Sequence, residues 1–366
     1  VEGWQRALED LAMNLANYAG RRVLITGHTG FKGGWLATWL HRLGARVAGI
    51  ALEPDTAPSL FLEARIADLV DSTIADVRDE TRVSEIIAGF SPEIVFHLAA
   101  QPLVRTGYEA PLRTFATNVM GTANVLEAAR RTPSVRAVVV VTSDKCYRET
   151  GSIWGYRESD PLGGHDPYAA SKAAAELVTG AWRDSFGSEP GAPLIASARA
   201  GNVIGGGDWA KDRLVPDLWR AARAGMPAEI RNPAAVRPWQ HVLEPLAGYL
   251  ILGERLLAAD MQAAEAWNFG CNLADMQPVS VLCEHLAPLL GFTWRHDGTA
   301  HPREAPTLRL DSSKAMLGLD WHPCLSLQRA CELTGDWYAR HARGEDACTL
   351  MLEQIGIYEA ATGDNR

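Results

Sequence analysis

A short apolar run that breaks at a glycine turn and restarts as a helix constrains this chain more than any other stretch. Val23-Leu24-Ile25 leads into Gly27-His28-Thr29-Gly30-Phe31-Lys32-Gly33. Trp35, Leu36, Trp39, Leu40 and Leu43 follow at steps of three and four, on one helical face. Strand, glycine turn and helix in that order are the context a dinucleotide fingerprint requires. Gly27 permits the tight turn, Gly30 lets the backbone approach a pyrophosphate, and Gly33 lets the helix lie close on the strand. The first-turn N–H groups and the positive end of the helix dipole then favour phosphate. Thr29, Phe31 and Lys32 complete the turn and are read with the glycines as cofactor-binding positions. His28 stands where related turns carry a small residue, and is expected to loosen the hold on the cofactor.

The unit repeats. Residues 45–52 form a second strand, and Glu53 follows it where an acid accepts hydrogen bonds from an adenosine ribose. Asp55 beside it reads as loop decoration. No Arg or Lys between residues 52 and 60 could neutralise a 2′-phosphate, which favours NAD over NADP. Residues 74–79 are a strand end opening into a helix, with Asp76 at its mouth. Residues 93–101 are a buried strand ending in small side chains, which let a cofactor lie against the backbone. A helix over 116–131 precedes the nearly unbroken β-branched run 137–141, the pattern of a parallel strand covered on both faces. The alternation predicts an α/β fold, a Rossmann-type doubly wound parallel sheet. Past residue 200 it weakens, which predicts a smaller, mixed C-terminal substrate-binding lobe.

The expected divisions are a helical extension over 1–20, the Rossmann domain over 21–200, and mainly the substrate lobe over 201–345. Segments of that lobe are free to return to the sheet, and 346–366 is a tail. In the extension, Trp4, Leu8, Leu11, Leu15 and Tyr18 make a narrow apolar seam. The net charge of −9 and the absence of a Lys/Arg block argue against nucleic acid as a partner. No run is long and apolar enough to span a membrane, and no signal-peptide pattern opens the chain. Six cysteines without a CxxC read as free thiols of a cytoplasmic protein, and the ten histidines show no metal-ligand spacing.

The most informative polar cluster follows the 137–141 strand: Thr142-Ser143-Asp144-Lys145-Cys146-Tyr147. It falls at the sheet edge where α/β folds place ligands. Further on, Asp166-Pro167-Tyr168-Ala169-Ala170-Ser171-Lys172 opens a helical run. Tyr168 and Lys172 are four apart and share a helix face, so the ammonium is expected to lower the phenol's pKa. That makes Tyr168 a base for a sugar hydroxyl during hydride transfer.

In this order the Gly27/Gly30/Gly33 turn, Asp76-Val77, His97-Leu98-Ala99-Ala100, Asn118, Ser143 and Tyr168-x-x-x-Lys172 resemble the extended short-chain dehydrogenase/reductases that act on nucleotide sugars. Gly27-His28-Thr29-Gly30-Phe31-Lys32-Gly33, Ala100-Gln101-Pro102-Leu103-Val104-Arg105 and Ser143-Asp144-Lys145 are most similar to the CDP-glucose 4,6-dehydratase branch. Gly201-Asn202-Val203-Ile204 and Val236-Arg237-Pro238-Trp239-Gln240-His241 are similar to the same branch. The resemblance implies NAD-dependent oxidation of the sugar at C4, loss of water across C5–C6, and hydride return to C6. Tyr168 would take the C4 hydroxyl proton beside Ser143 and Lys172, and Asp144 and Lys145 would be acid and base of the elimination. A lysine base must be neutral, and a protonated Asp144 alongside suits that better than an ionised one.

The resemblance also assigns Asp76, Val77, Leu98, Ala99, Ala100 and Asn118 to the cofactor. It assigns Gln101, Arg105, Asn202, Arg213, Arg237 and Glu304 to the substrate, the arginines suiting its diphosphate. His241 receives no role. Helices 112–131 and 168–186 would pair across a homodimer. A nucleotide-sugar 4-epimerase is the first rival, but it has no need of the Asp144–Lys145 pair. A non-catalytic NAD-binding regulator is the second, and it has no need of Ser143, Tyr168 and Lys172.

Overall fold

A computed structural model describes residues 15–299 and 308–364. Seven parallel strands form the main sheet: β1 (Arg22–Thr26), β2 (Arg46–Ala51), β3 (Asp71–Ile74), β4 (Ile94–His97), β5 (Ala137–Val141), β6 (Leu194–Ala200) and β7 (Ala266–Phe269). Their spatial order is β3-β2-β1-β4-β5-β6-β7, so the winding reverses between β1 and β4. That reversal opens a crevice at the C-terminal strand edge, the place where doubly wound sheets take ligands. β7 lies in what the sequence assigns to the substrate lobe, so the second half of the chain does return to the sheet.

Both sheet faces are covered, and the strands show why. Val23, Ile25, Ile94, Phe96, Val139 and Val141 enter one apolar core, while Leu24, Val95, Val138 and Val140 enter another on the opposite face. Alternate side chains of each strand therefore part to two layers, and each layer wants an apolar residue at every turn of the pleat.

The principal helices are α1 (Phe31–Arg42), α2 (Glu80–Phe90), α3 (Val104–Glu109), α4 (Pro111–Phe115), α5 (Gly121–Arg130), α6 (Pro167–Phe186), α7 (Leu214–Ala224), α8 (Leu243–Leu257), α9 (Val279–Leu290), α10 (Leu327–Ala342) and α11 (Ala347–Asp364). The helical reading of 116–131 is interrupted, because Ala116–Met120 is a π-turn between α4 and α5. α2 starts at Asp79, whose side chain accepts from Arg82 N. Asp76, expected at that mouth, instead folds onto Arg78 and accepts from its backbone N at 2.9 Å.

Leu15–Tyr18 is a 3-10 turn whose Leu15 and Tyr18 enter the main core, and Tyr18 Oη donates to Leu250 O of α8 at 2.8 Å. The rest of the N-terminal seam (Trp4, Leu8, Leu11) lies outside the described residues. The expected tail is α11, which packs on α1. Glu359 accepts from Trp39 Nε1 at 2.9 Å and pairs with Arg42 at 3.0 Å, and Tyr358 Oη donates to buried Glu244 at 2.8 Å. Beyond β6 three two-stranded ribbons build the smaller lobe: 203–204 with 240–241, 236–238 with 276–278, and 228–230 with 294–296. No helix among the described residues is long and apolar enough to cross a membrane.

Candidate active site

A cleft of about 970 Å³ runs along the C-terminal edge of β1, β2, β4, β5 and β6, between the sheet and the smaller lobe. Every predicted site residue among the described ones lines it except Asn118; Glu304 lies outside the described residues. The glycine turn, Glu53 and Asp76-Val77 line one end. Ser143, Asp144, Lys145, Tyr168 and Lys172 line the middle, and Arg105, Asn202, Arg213 and Arg237 line the part next to the smaller lobe.

The turn fits a dinucleotide on its own geometry. Gly27 has φ +83°, and a Cβ there would stand 2.8 Å from Ala99 N. A Cβ at Gly33 would stand 2.1 Å from Gly27 O. Gly30 caps α1 without a side-chain hydrogen bond, so no side chain competes for the N–H groups that open the helix. Gly33→Ala is therefore expected to push α1 off the turn and cut NAD affinity by at least about tenfold, read by calorimetry. Unchanged affinity would mean that the turn does not hold the cofactor.

His28 does not crowd the cleft as its size suggests. Its ring is buried on the opposite side, where a Cβ at Gly49 would meet it at 2.3 Å. Nε2 pairs with Ser72 Oγ at 2.7 Å, and the ring meets Phe61 edge-on, so the residue ties the turn to β2 and β3. Burial pushes its pKa down to about 4, which keeps it neutral. His241 is likewise a core residue, edge-on to Trp35 and pushed by burial down to about 3.

The chemical centre is assembled by two local signals. β5 ends at Val141, and Ser143 caps the following 3-10 turn, accepting from Lys145 N at 3.2 Å. Asp166 caps α6, accepting from Ala169 N at 2.9 Å, with Pro167 at the first helical position. Tyr168 thus sits in the first turn of α6, with Ser143 near enough to favour its ionised form. Ser143 Oγ in turn donates to Asp144 Oδ1 at 3.0 Å. Asp144 Oδ2 is buried with no hydrogen-bond partner among the described residues. Burial pushes the Asp144 carboxyl above the ordinary range, against the pull of Lys145, Ser143, Arg237 and Lys32. Burial thus favours the protonated form more than in an exposed carboxyl, which suits a proton donor.

One expectation reverses. Burial pushes Tyr168 up to about 12, outweighing the pull of Ser143, so proximity to Lys172 does not by itself make a phenolate. Lys172 is also buried; desolvation brings it down to about 8, opposed by Glu176 one turn along α6, and Nζ donates to Val141 O at 3.3 Å.

Asn118 is a correction. The π-turn rotates it out of the cleft and into a bracket: Oδ1 accepts from Gln101 N at 2.7 Å, and Nδ2 donates to Gln101 O at 3.1 Å and Ser171 Oγ at 2.8 Å. With both amide protons used, it fixes the β4 edge against α6. Gln101 lines the cleft, yet its side chain is also engaged, donating to Thr114 Oγ1 at 2.9 Å and accepting from Leu103 N at 2.6 Å. Arg105 pairs with Asp212 across the cleft at 2.9 Å, and Arg213 with Asp208 at 3.0 Å. Lys32 leaves the turn altogether, its Nζ donating to Tyr249 Oη of α8 at 3.3 Å.

Sequence reasoning missed the buried network beneath this centre. Glu176 pairs with Arg199 at 2.7 Å, and Arg199 donates to Tyr147 Oη at 2.8 Å. Thr142 and Ser197 donate to Glu176 as well. The one signal was Ser197 and Arg199 breaking the apolar run of β6.

A model of the NAD dependent epimerase/dehydratase family matches residues 23–268, about two-thirds of the chain. The chain belongs to that family. Its similarity to the CDP-glucose 4,6-dehydratase of Salmonella typhimurium is 48% identity over 351 residues, 94% of this chain and 98% of that protein. The dTDP-glucose 4,6-dehydratase of Xanthomonas campestris is 27% identical over 91% of this chain and 98% of its own. Among solved structures, the Bacillus anthracis dTDP-glucose 4,6-dehydratase in complex with NAD superposes with a TM-score of 0.73 at 21% identity. It covers 88% of this chain and 97% of its own. DesIV, the Streptomyces venezuelae dTDP-glucose 4,6-dehydratase, gives 0.74 at 24% identity over 88% and 98%. These two structures bear on the fold.

Proposed function

We propose that this chain is a lyase that converts CDP-glucose to CDP-4-keto-6-deoxyglucose, with NAD as a cofactor regenerated each turnover. The carrying observation is Asp144: a buried carboxyl at the cleft, held by Ser143 through one oxygen, with no hydrogen-bond partner among the described residues on the other, and with Lys145 next to it. A 4-epimerase has no step that needs this pair. Similarity to the Salmonella enzyme over nearly the full chain supports CDP-glucose as substrate.

When bound, NAD supplies a hydride acceptor for C4, a hydride donor for C6, and a positive nicotinamide ring that favours an adjacent phenolate. Tyr168 Oη takes the C4 hydroxyl proton, with Ser143 Oγ on the same oxygen and Lys172 favouring the phenolate. The 4-ketone acidifies the C5 proton, Lys145 removes it, and Asp144 gives its proton to the departing C6 hydroxyl. Arg213, Arg237 and Asn202 hold the diphosphate and sugar, with Arg105 freed from Asp212 to join them. Glu53 takes the adenosine ribose.

We also assign a homodimer through 112–131 and 168–186, on which Leu112, Phe115, Met120 and Leu177 stand exposed. A cytoplasmic location fits six cysteines that are all free. Incubation with NAD and, separately, CDP-glucose, dTDP-glucose, UDP-glucose and GDP-mannose tests the substrate by product mass. Loss of one water from CDP-glucose alone supports the reading. Loss from another sugar overturns the nucleotide assignment, and a C4 epimer of unchanged mass hands the chain to the epimerases.

A further inference from the structure

The turn that carries Ser143, Asp144 and Lys145 is held at both ends by one buried ion pair. Just before it, Thr142 Oγ1 donates to Glu176, and Thr142 N donates to Ala198 O of β6 at 2.9 Å. Just after it, Tyr147 Oη accepts from Arg199 Nη1 at 2.8 Å, with the guanidinium carbon 5.0 Å from the ring centroid. Glu176 and Arg199 meet at 2.7 Å, their side chains only 2% and 4% exposed. Thr142, Glu176, Arg199 and Tyr147 thus form a clamp that closes on the two ends of the turn. Both arms are fixed in turn. Ser197 Oγ donates to Glu176 at 2.7 Å, while Tyr147 Oη donates to Asn268 Oδ1 of β7 at 2.7 Å and its ring stacks on Tyr156, centroids 5.1 Å apart.

The turn has little rigidity of its own. Asp144–Cys146 is a single 3-10 turn, held internally by Cys146 N on Ser143 O at 3.2 Å and Lys145 N on Ser143 Oγ at 3.2 Å. Its ends therefore decide where its side chains stand. Core stability alone does not call for an ion pair at this depth, since apolar residues of similar volume serve it as well or better. What a hydrogen-bonded charge pair adds is fixed geometry. Glu176 also lies one turn along α6 from Lys172, whose Nζ donates to Val141 O at 3.3 Å. The helix bearing Tyr168 and Lys172 is thus tied through Glu176 to the turn bearing Asp144 and Lys145.

Resting on the dehydratase reading above, we propose that Glu176 and Arg199 are positioning residues for the elimination step. In that step the C5–H proton passes to Lys145 and the C–H electron pair becomes the second C5–C6 bond. The C6–O pair leaves with oxygen, and the Asp144 proton completes the water. Two neighbouring side chains of one turn must meet two adjacent sugar carbons together, so a shift of the turn harms both contacts at once. Oxidation at C4 depends instead on Tyr168 of α6 and on the cofactor, and involves the turn only through Ser143. Loosening the clamp slows loss of water more than it slows oxidation, and a misplacement of about 1 Å can cost about a hundredfold.

The test is made at the ends of the clamp, because removing Glu176 or Arg199 alone strands a buried charge and endangers the fold. Thr142→Val and Tyr147→Phe each fill the parent's space and delete one hydroxyl, whereas Thr142→Ser keeps the donor. The full chain with NAD is compared on CDP-glucose and on CDP-6-deoxyglucose, which can be oxidised at C4 but has no C6 hydroxyl to lose. Each deletion is expected to slow loss of water by roughly tenfold. Oxidation of the 6-deoxy sugar and NAD affinity by calorimetry stay within about threefold. Reduced-dinucleotide absorbance during turnover of CDP-glucose rises above the parent level, because oxidised sugar waits for elimination. Thr142→Ser stays near the parent, and the double variant Thr142→Val with Tyr147→Phe loses more than either single. Both activities falling by the same factor overturns the proposal and leaves the pair a core contact. A parent that loses no water from CDP-glucose sinks the dehydratase reading, whereas an active parent matched by the double variant sinks this inference alone.

Discussion

Tyr168→Phe is expected to lower kcat on CDP-glucose by roughly a hundred- to ten-thousand-fold while leaving KM near the parent value. The ring is buried in the first turn of α6, so phenylalanine keeps its packing and loses the one oxygen that can take the C4 proton. With a pKa pushed up to about 12 by burial, the phenol does not ionise unaided near neutral pH. Lys172, one turn along α6, and the positive ring that NAD would supply are what favour its ionisation. Steady-state kinetics and NAD calorimetry on the same preparation separate the two effects. A variant that keeps more than about a tenth of the parent rate would remove Tyr168 from the proton transfer.

Asp144→Asn is expected to separate oxidation from elimination. The amide keeps an acceptor for Ser143 Oγ, which donates to Oδ1 at 3.0 Å in the parent, and it fills the same volume. It cannot supply the acidic proton for the C6 hydroxyl. Loss of water should fall by roughly a hundred- to a thousand-fold, while C4 oxidation of CDP-6-deoxyglucose continues at a comparable rate. Reduced-dinucleotide absorbance follows the oxidation and product mass follows the water. If both activities fell together, Asp144 would be a structural member of the Ser143 turn rather than the acid.

Much of the fold was legible because local signals agree with one another. The glycine turn, the β-branched run of β5 and the Asp166-Pro167 cap each bring a candidate site residue to the C-terminal sheet edge by short-range chemistry alone. The failures share a cause: they depend on where a side chain points after distant segments pack. Nothing local announces the π-turn that withdraws Asn118 into a bracket on Gln101 and Ser171. Lys32 reads as part of the turn because its anchor, Tyr249, lies more than two hundred residues away. His28 looks obstructive until Gly49 is seen to leave space for its ring. The sequence reads 346–366 as a tail, and what places α11 is the contact of Glu359 with Trp39 and Arg42. The desolvation that raises Tyr168 against its lysine is likewise a property of the packed site, invisible to a four-residue spacing.

The central claim is that hydride leaves C4 and returns to C6 of the same sugar while one water is lost. CDP-glucose carrying deuterium at C4, incubated with the chain and unlabelled NAD, tests it most directly. A 4-keto-6-deoxy product with the deuterium on C6, at catalytic levels of NAD, is the predicted result. Deuterium recovered at C4 of an epimerised sugar, or on released dinucleotide in proportion to sugar consumed, would contradict the account.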